Sequence, residues 1–192
     1  TLATIQQARA RIAGYVRHTP LLPAPSLRSD MPAQLRLKLE NLQVTGSFKY
    51  RGALNAMTFA KERGITRVFT ASAGNHALGM AEAARTTERE TTVCLPTNVA
   101  AVKKAKLELF SVGIVQHGDD MELTEQYAAR LALEKKGLYI SPYNNREVIA
   151  GQGTVGLEMY ELVPKLSTLV VAVGGGGLIS GIGLVAKVIN PK

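Results

Sequence analysis

Short runs of apolar and β-branched residues recur along the chain, separated by longer stretches with helical periodicity. The predicted strands are 35–39, 67–71, 91–95, 113–116, 138–141 and 167–173. The predicted helices are 4–16, 49–63, 75–86, 99–110, 119–136, 153–162 and 178–189. Strands that alternate with helices in this way predict a doubly wound, mostly parallel α/β sheet.

Several of these elements carry a local signal of their own. The first helix begins with a capping-box string, Thr4 to Gln7, and the helix after 113–116 is opened by Asp119 or Asp120. The stretch 18–32 contains four prolines and predicts an ordered surface loop. Residues 169–173 are apolar on both faces, which predicts a central parallel strand covered by helices.

Composition narrows the classes of function. The net charge of +8 raises the possibility of nucleic-acid binding, but the basic residues are scattered, Trp is absent and aromatic residues make up only 5%. No apolar run reaches the length of about 18 residues that crosses a bilayer. A single cysteine, Cys94, reads as a small core residue and fits a reducing compartment. We therefore expect a cytoplasmic protein that binds neither nucleic acid nor membranes.

The most specific local signal is a glycine run, Gly174 to Gly177, between an apolar strand and a helix that opens at Leu178. Glycine lets the backbone approach a ligand closely, and a helix N-terminus offers free N–H groups and a partial positive charge. A plain flexible turn is the alternative, but four consecutive glycines cost much backbone entropy. The run therefore predicts a phosphate site. It is not a P-loop, because the required Gly-Lys-Ser/Thr ending is missing.

A second string, Gly46-Ser-Phe-Lys-Tyr-Arg-Gly-Ala53, places Lys49 in the first turn of a helix. The positive helix end and burial both disfavour the ammonium form, so the amine can become a nucleophile. Judged on these eight residues alone, an exposed surface lysine is the simpler interpretation.

A third string, Thr70 to Ala77, again joins a strand to a helix. Ser72 and Asn75 are candidate N-cap side chains, and the same turn leaves backbone N–H groups free for a carboxylate. A lone His76 is more often structural than catalytic. Neither His76 nor His117 has the spacing of a metal ligand, so no metal site is predicted.

In this order, the three strings resemble the fold-type II pyridoxal-phosphate enzymes, specifically the branch of threonine/serine dehydratases and serine racemases, with a tryptophan-synthase-β-like fold. Supporting strings are His18-Thr-Pro-Leu21, Lys38-Leu-Glu40 and Ile149-Ala-Gly-Gln-Gly-Thr154. The resemblance implies two lobes: a large cofactor-binding domain from residues 1–45 plus 142–192, and a small inserted domain from residues 46–141.

The resemblance also implies a role for each site residue. Lys49 would carry pyridoxal 5′-phosphate as a Schiff base and act as the base at Cα, with Phe48 against the ring and Asn75 on its hydroxyl. The phosphate would lie on Gly174, Gly175, Gly176, Gly177 and Leu178. The carboxylate of a small amino-acid substrate would be held by Ser72, Ala73, Gly74, Asn75 and His76.

The implied reaction is loss of the β-hydroxyl and then ammonia from L-threonine or L-serine, giving 2-ketobutyrate or pyruvate. Family racemases carry a second serine where this chain has Ala73, which favours the dehydratase over the racemase. β-Substitution, as in cysteine synthases, is a weaker alternative. The family's catalytic domain continues beyond the helix at 178–189, so the chain is expected to be truncated, and an inactive binding or oligomerisation module is the non-catalytic alternative. Family habit implies a homodimer or homotetramer.

Overall fold

The computed structural model describes residues 1–24 and 34–191. The helices are α1 (Leu2–Ile12), α2 (Lys49–Glu62), α3 (Asn75–Thr87), α4 (Ala101–Glu108), α5 (Met121–Glu134), α6 (Arg146–Leu162) and α7 (Gly177–Ile189), with a 3-10 turn at Glu40–Leu42. The strands are β1 (Leu21–Pro23), β2 (Arg36–Lys38), β3 (Arg67–Ala71), β4 (Glu90–Leu95), β5 (Gly113–Gln116) and β6 (Leu138–Tyr139). No helix among the described residues is long and apolar enough to cross a bilayer.

Four strands form one parallel sheet in the order β5-β4-β3-β6. Successive side chains of β4 point to opposite faces, so Val93 and Leu95 pack with α3 and α4 while Cys94 packs with α5. Helices therefore cover both faces of the sheet, as the alternating pattern predicted. Cys94 is a buried core residue, and burial raises the pKa of its thiol to about 11.

Capping corrects the predicted starts of α1 and α6, and it decides between the two predicted caps of α5. The capping box is formed by Thr1 and Thr4, so α1 begins at Leu2 and ends at Ile12, just before Gly14 with its φ of +83°. The side chain of Asn145 accepts hydrogen bonds from the first turn of α6, which therefore begins at Arg146, seven residues before the predicted start. Asp120, rather than Asp119, caps α5.

The predicted strand at 35–39 exists as β2, but its inward and outward faces are reversed. β2 pairs antiparallel with β1, which lies within the described part, 18–24, of the predicted loop 18–32; residues 25–33 lie outside the described residues. Leu37 is 41% exposed, whereas the side chain of Lys38 points inward to a buried carboxylate, Glu158. An ion pair has therefore overridden the hydrophobic pattern at this strand.

The predicted central strand at 167–173 is not paired with any strand in the described part of the chain. Val170 is 93% exposed, although the sequence pattern predicted burial on both faces. A parallel strand needs neighbours to bond its N–H and C=O groups. Since none of the described strands pairs with this segment, it has no regular secondary structure.

The deepest polar feature is an ion cluster around Arg51, whose side chain has no exposure to solvent. Its guanidinium donates twice to Glu40 at 2.8 Å and also donates to both carboxylate oxygens of Glu158. Lys38 completes the cluster by donating to Glu158 and to the carbonyl of Thr19. Two cations thus face two carboxylates, and the cluster is neutral overall.

The charges of the cluster stabilise one another. Burial alone would lower the pKa of Arg51, but its hydrogen bonds to Glu40 and Glu158 raise it. Burial alone would raise the pKa of Glu158, but Arg51 and Lys38 hold it below the usual value. The carboxylate of Glu158 therefore favours folding above the pH at which the unfolded chain loses this proton, and that contribution is lost as the pH falls through the lower, folded pKa.

We expect Arg51→Met to lower the free energy of unfolding by about 3–5 kcal/mol, because it leaves two buried carboxylates without their main partner. The matched control is Arg67→Met, which removes a solvent-exposed pair with Glu90 at 3.7 Å and should cost about 1 kcal/mol or less. Urea unfolding followed by circular dichroism gives both values. Equal losses in the two variants would contradict the importance given to the cluster.

Candidate active site

Lys49 begins α2 and is half-buried. Its Nζ donates a hydrogen bond to the carbonyl oxygen of Pro142 at 2.8 Å and lies 5.4 Å from the centroid of the Phe48 ring. No carboxylate pairs with this amine in the described part of the chain, and burial lowers its pKa. The amine is therefore easier to deprotonate than an ordinary surface lysine, which is what nucleophilic or base chemistry requires.

The predicted carboxylate loop lies at the carboxyl end of β3 and the start of α3. The N-cap residue is Gly74, which supplies no capping side chain, so the expectation that Ser72 or Asn75 caps this helix is wrong. Ser72 instead accepts a hydrogen bond from the amide of Gly74 at 3.3 Å. Ser72 and Ala73 are partly buried, and Gly74 and Asn75 are exposed. The first N–H groups of α3 are thus available to an anion.

His76 is 2% exposed, and neither of its ring nitrogens has a hydrogen-bond partner in the described part of the chain. Burial first, and then the charge of Lys49, lowers the pKa of His76 to about 3. The imidazole is therefore neutral at physiological pH and lies within electrostatic range of the lysine. α2 and α3 are also in direct contact there, because a Cβ on Gly79 would lie 3.2 Å from the carbonyl carbon of Lys49.

The glycine run lies at the start of α7, as predicted. Gly176 is the N-cap with a φ of +85°, a conformation that strains any residue with a side chain, and no side chain caps the helix. Open space surrounds the Cβ positions of Gly174 and Gly176. Leu178 is partly buried in the first turn. This N-terminus, like that of α3, offers uncapped N–H groups to an anion.

Lys49 and the glycine run meet through a loop that the sequence analysis did not single out, residues 141–145. The carbonyl of Pro142 accepts the hydrogen bond from Lys49, and Tyr143 fills the space beside Gly175, where a Cβ would come within 2.3 Å of the ring carbon Cγ. The carboxylate loop is brought to Lys49 by the contact between α2 and α3. No hydrogen bond between described residues joins it to the glycine run.

Two signals could have identified this loop. It follows β6 at the carboxyl end of the parallel sheet, where open α/β sheets bind their ligands. It also contains Pro142, Tyr143 and two successive asparagines, a polar and aromatic string that is unusual for a plain connection. Its contacts could not be predicted from local pattern, because they join separate elements; Lys49 and Pro142, for example, are 93 positions apart.

A known protein family matches the part of the chain that contains these site residues. Residues 12–192 match the family described as pyridoxal-phosphate dependent enzyme. The chain belongs to this family. Its cofactor is therefore pyridoxal 5′-phosphate, and its fold is that of the fold-type II members among its structural relatives.

Individual relatives agree with this assignment. A serine racemase of Oryza sativa is 39% identical over 190 residues, which cover 98% of this chain and 56% of that protein. A catabolic L-threonine dehydratase of Staphylococcus aureus is 38% identical over 197 residues, covering 100% and 56%. The structure of maize serine racemase superimposes with a TM-score of 0.91 at 37% identity, covering 98% and 58%. The chain thus spans little more than half the length of these relatives.

The site of this pyridoxal-phosphate dependent enzyme fits the family cofactor on three structural grounds. A phosphate suits the two uncapped helix N-termini and the open space at Gly174 and Gly176. An aldehyde suits the half-buried Lys49 amine, which has no paired carboxylate among the described residues. The unpartnered nitrogens of His76 leave a buried polar group beside the amine.

We expect the Lys49 amine to reach half of its maximal reactivity at a lower pH than the other lysines, because burial lowers its pKa. Competitive acetylation across pH 6 to 11, with each peptide normalised to its own plateau, measures this directly. Lys61, which is exposed on the same helix, is the internal control. A Lys49 profile that coincides with that of Lys61 would show that the half-buried setting does not tune the amine.

Proposed function

We propose that the protein is a pyridoxal-phosphate dependent hydroxy-amino-acid ammonia-lyase that acts on L-threonine or L-serine. The observation that carries the proposal is the setting of Lys49. Its amine is half-buried, is bonded to the Pro142 carbonyl, and lies between the elements that bear the carboxylate loop and the glycine run. The S. aureus dehydratase relative supports the choice of reaction.

The proposed cofactor contacts use the predicted residues. Lys49 holds the cofactor through its amine, and Phe48 packs beside it. Asn75, exposed at the first position of α3, bonds the ring hydroxyl. The phosphate lies on the N-terminus of α7, where the contacting residues are Gly174, Gly175, Gly176, Gly177 and Leu178.

The substrate carboxylate lies at the N-terminus of α3, where the free N–H groups and the helix dipole favour a negative charge. The contacting residues are Ser72, Ala73, Gly74, Asn75 and His76. Because His76 is buried and neutral, it adds no charge that would hold a carboxylate by itself. Recognition therefore depends on backbone amides and on the Ser72 hydroxyl.

The protein's chemical task is to move one proton at Cα. Pyridoxal phosphate, when bound, supplies an electron sink for the charge that develops there. Lys49 takes the Cα proton through its neutral amine, which its lowered pKa makes available. The C–O bond at Cβ would then break, and the hydroxyl would take up the proton that Lys49 removed and leave as water. The enamine becomes an imine, which one water molecule hydrolyses to a 2-keto acid and ammonia.

Racemisation of serine is the second candidate, because two of the relatives described above are serine racemases. It requires a proton donor on the face of the substrate opposite to Lys49. Ala73, in the loop where family racemases carry a serine, has no proton to give. Ala73 therefore favours lyase activity over racemase activity.

The assembly is part of the proposal as well. We assign residues 46–141 to a small lobe, which contains every strand of the four-stranded sheet, and 1–45 with 142–192 to the cofactor-binding lobe. Association into a dimer or tetramer would cover apolar residues such as Val170 and Val173. If the chain binds no cofactor, the alternative is a catalytically inactive module that binds a partner or promotes oligomerisation.

The test is to incubate the purified chain with pyridoxal phosphate, remove the excess, and record the visible spectrum and ammonia release with L-threonine and L-serine. We expect a retained absorption band that borohydride bleaches, with a matching mass increase on the Lys49 peptide. Lys49→Ala should lose the band and reduce turnover by at least about 10³-fold. Chiral chromatography of residual serine separates lyase from racemase activity.

Lys61→Ala is the matched control and should keep both properties, because this lysine is exposed at the far end of α2. Turnover that survives Lys49→Ala would refute the proposal. A retained band without ammonia release would leave cofactor binding intact and refute the lyase activity.

A further inference from the structure

The loop 141–145 is fixed at both ends, although it has no regular secondary structure. The Ser141 hydroxyl accepts a hydrogen bond from the amide of Asn144 at 3.1 Å. At the other end, the side chain of Asn145 accepts from the amides of Glu147 and Val148, both at 3.0 Å, and so caps α6. Pro142 and Tyr143 are therefore presented by a well-anchored turn.

Two neighbouring residues of this loop contact two different parts of the site. The carbonyl of Pro142 accepts the hydrogen bond from Lys49, and the ring of Tyr143 lies against Gly175. The Tyr143 carbonyl also approaches the glycine run, because a Cβ on Gly177 would lie 3.0 Å from it. A displacement of Tyr143 would therefore also displace the glycine run and the Pro142 carbonyl that accepts the hydrogen bond from Lys49.

Tyr143 is held on its far side by Glu125 of α5. The Tyr143 hydroxyl donates to the two carboxylate oxygens of Glu125 at 2.8 and 3.0 Å. This hydrogen bond, and to a lesser degree burial, raises the pKa of Tyr143, so the phenol keeps its proton and remains a donor at working pH. The backbone beside Glu125 is anchored, since its neighbour Thr124 is fully buried and its hydroxyl donates to the carbonyl of His117.

We propose that Glu125 and Tyr143 act as a pair of positioning residues for this site. The carboxylate of Glu125 holds the phenol, the ring holds the glycine run at Gly175, and the adjoining peptide keeps the Pro142 carbonyl on the Lys49 amine. Neither residue needs to touch a reacting atom. The contacts from Glu125 through Tyr143 to the glycine run exist in the cofactor-free chain. Only the expected benefit of these contacts to catalysis rests on the proposed function.

The pair makes a specific prediction for hydrogen–deuterium exchange in the cofactor-free protein. Tyr143→Phe keeps the ring against Gly175 but removes the hydroxyl, and Glu125→Ala removes the acceptor. Each variant should speed amide exchange at Asn144 and Ser180 by about five-fold or more, because these two amides are hydrogen-bonded in the intact chain and lie next to the contact that is lost. The double variant should exchange no faster than either single variant, because both remove the same contact.

A second readout follows the amine. If the Pro142 carbonyl loosens, Lys49 loses an acceptor for its ammonium form, so its acetylation profile should move to lower pH in Tyr143→Phe and Glu125→Ala. Glu125→Gln keeps an acceptor oxygen and should restore most of the wild-type exchange and profile. A purely stabilising surface bond would instead shift only the urea midpoint.

Tyr127→Phe is the matched control, because Tyr127 lies on the same helix and stacks on His117, and no hydrogen bond between described residues joins its side chain to the loop. Unchanged exchange in Tyr143→Phe, equal changes in Tyr127→Phe, or additive effects in the double variant would each overturn the proposal. Failure of the wild-type chain to bind pyridoxal phosphate would instead count against the proposed function, and the exchange experiment would still decide on the pair.

Discussion

Arg51 carries a full positive charge in a place that water does not reach, and four stretches of the chain have to meet around it. Glu40 comes from the 3-10 turn, Glu158 from α6 and Lys38 from β2, while the Arg17 carbonyl that also accepts from the guanidinium lies just after α1. An uncompensated buried charge is strongly destabilising, so these segments cannot separate one at a time. The cluster thereby fixes α2 against α6, and close contact between Gly151 and the Arg51 backbone completes that packing.

Fixing α2 in this way has a direct effect on the chemistry, because Arg51 and Lys49 are two residues apart and point to opposite sides of the same helix turn. The buried ion cluster therefore lies on one side of α2, and the Lys49 amine lies on the opposite side. Lys49 is therefore held on a rigid element, and the described groups near its amine include a carbonyl, an aromatic ring and a neutral imidazole. One helix turn supports an amine of lowered pKa and an arginine of raised pKa.

Much of this arrangement could be predicted from the sequence, because period and turn chemistry are local. β3 and β5 have the predicted bounds, Gly64 follows α2 with a φ of +69°, and the glycine run opens α7. Apart from helix starts that depended on local caps, predictions were wrong where a distant partner decided the outcome. Lys38 turned inward for a carboxylate 120 positions away, and the apolar segment 167–173 had no described strand to join. Tyr143 gave no local sign of its contact with Gly175.

The bare starts of α3 and α7 carry a thermodynamic consequence. Among the described helices, side chains cap the starts of α1, α5 and α6, whereas α2, α3, α4 and α7 begin without such a cap. At α3 and α7 the N-cap residues are the glycines Gly74 and Gly176. An anion that binds there finishes the helix as well as occupying the site, so ligand concentration and folding become linked quantities. At one hundred times its dissociation constant, such an anion adds about 2.7 kcal/mol to the stability of the native state. If phosphate or sulfate binds there, the melting temperature of the protein should rise with the concentration of that anion in the buffer.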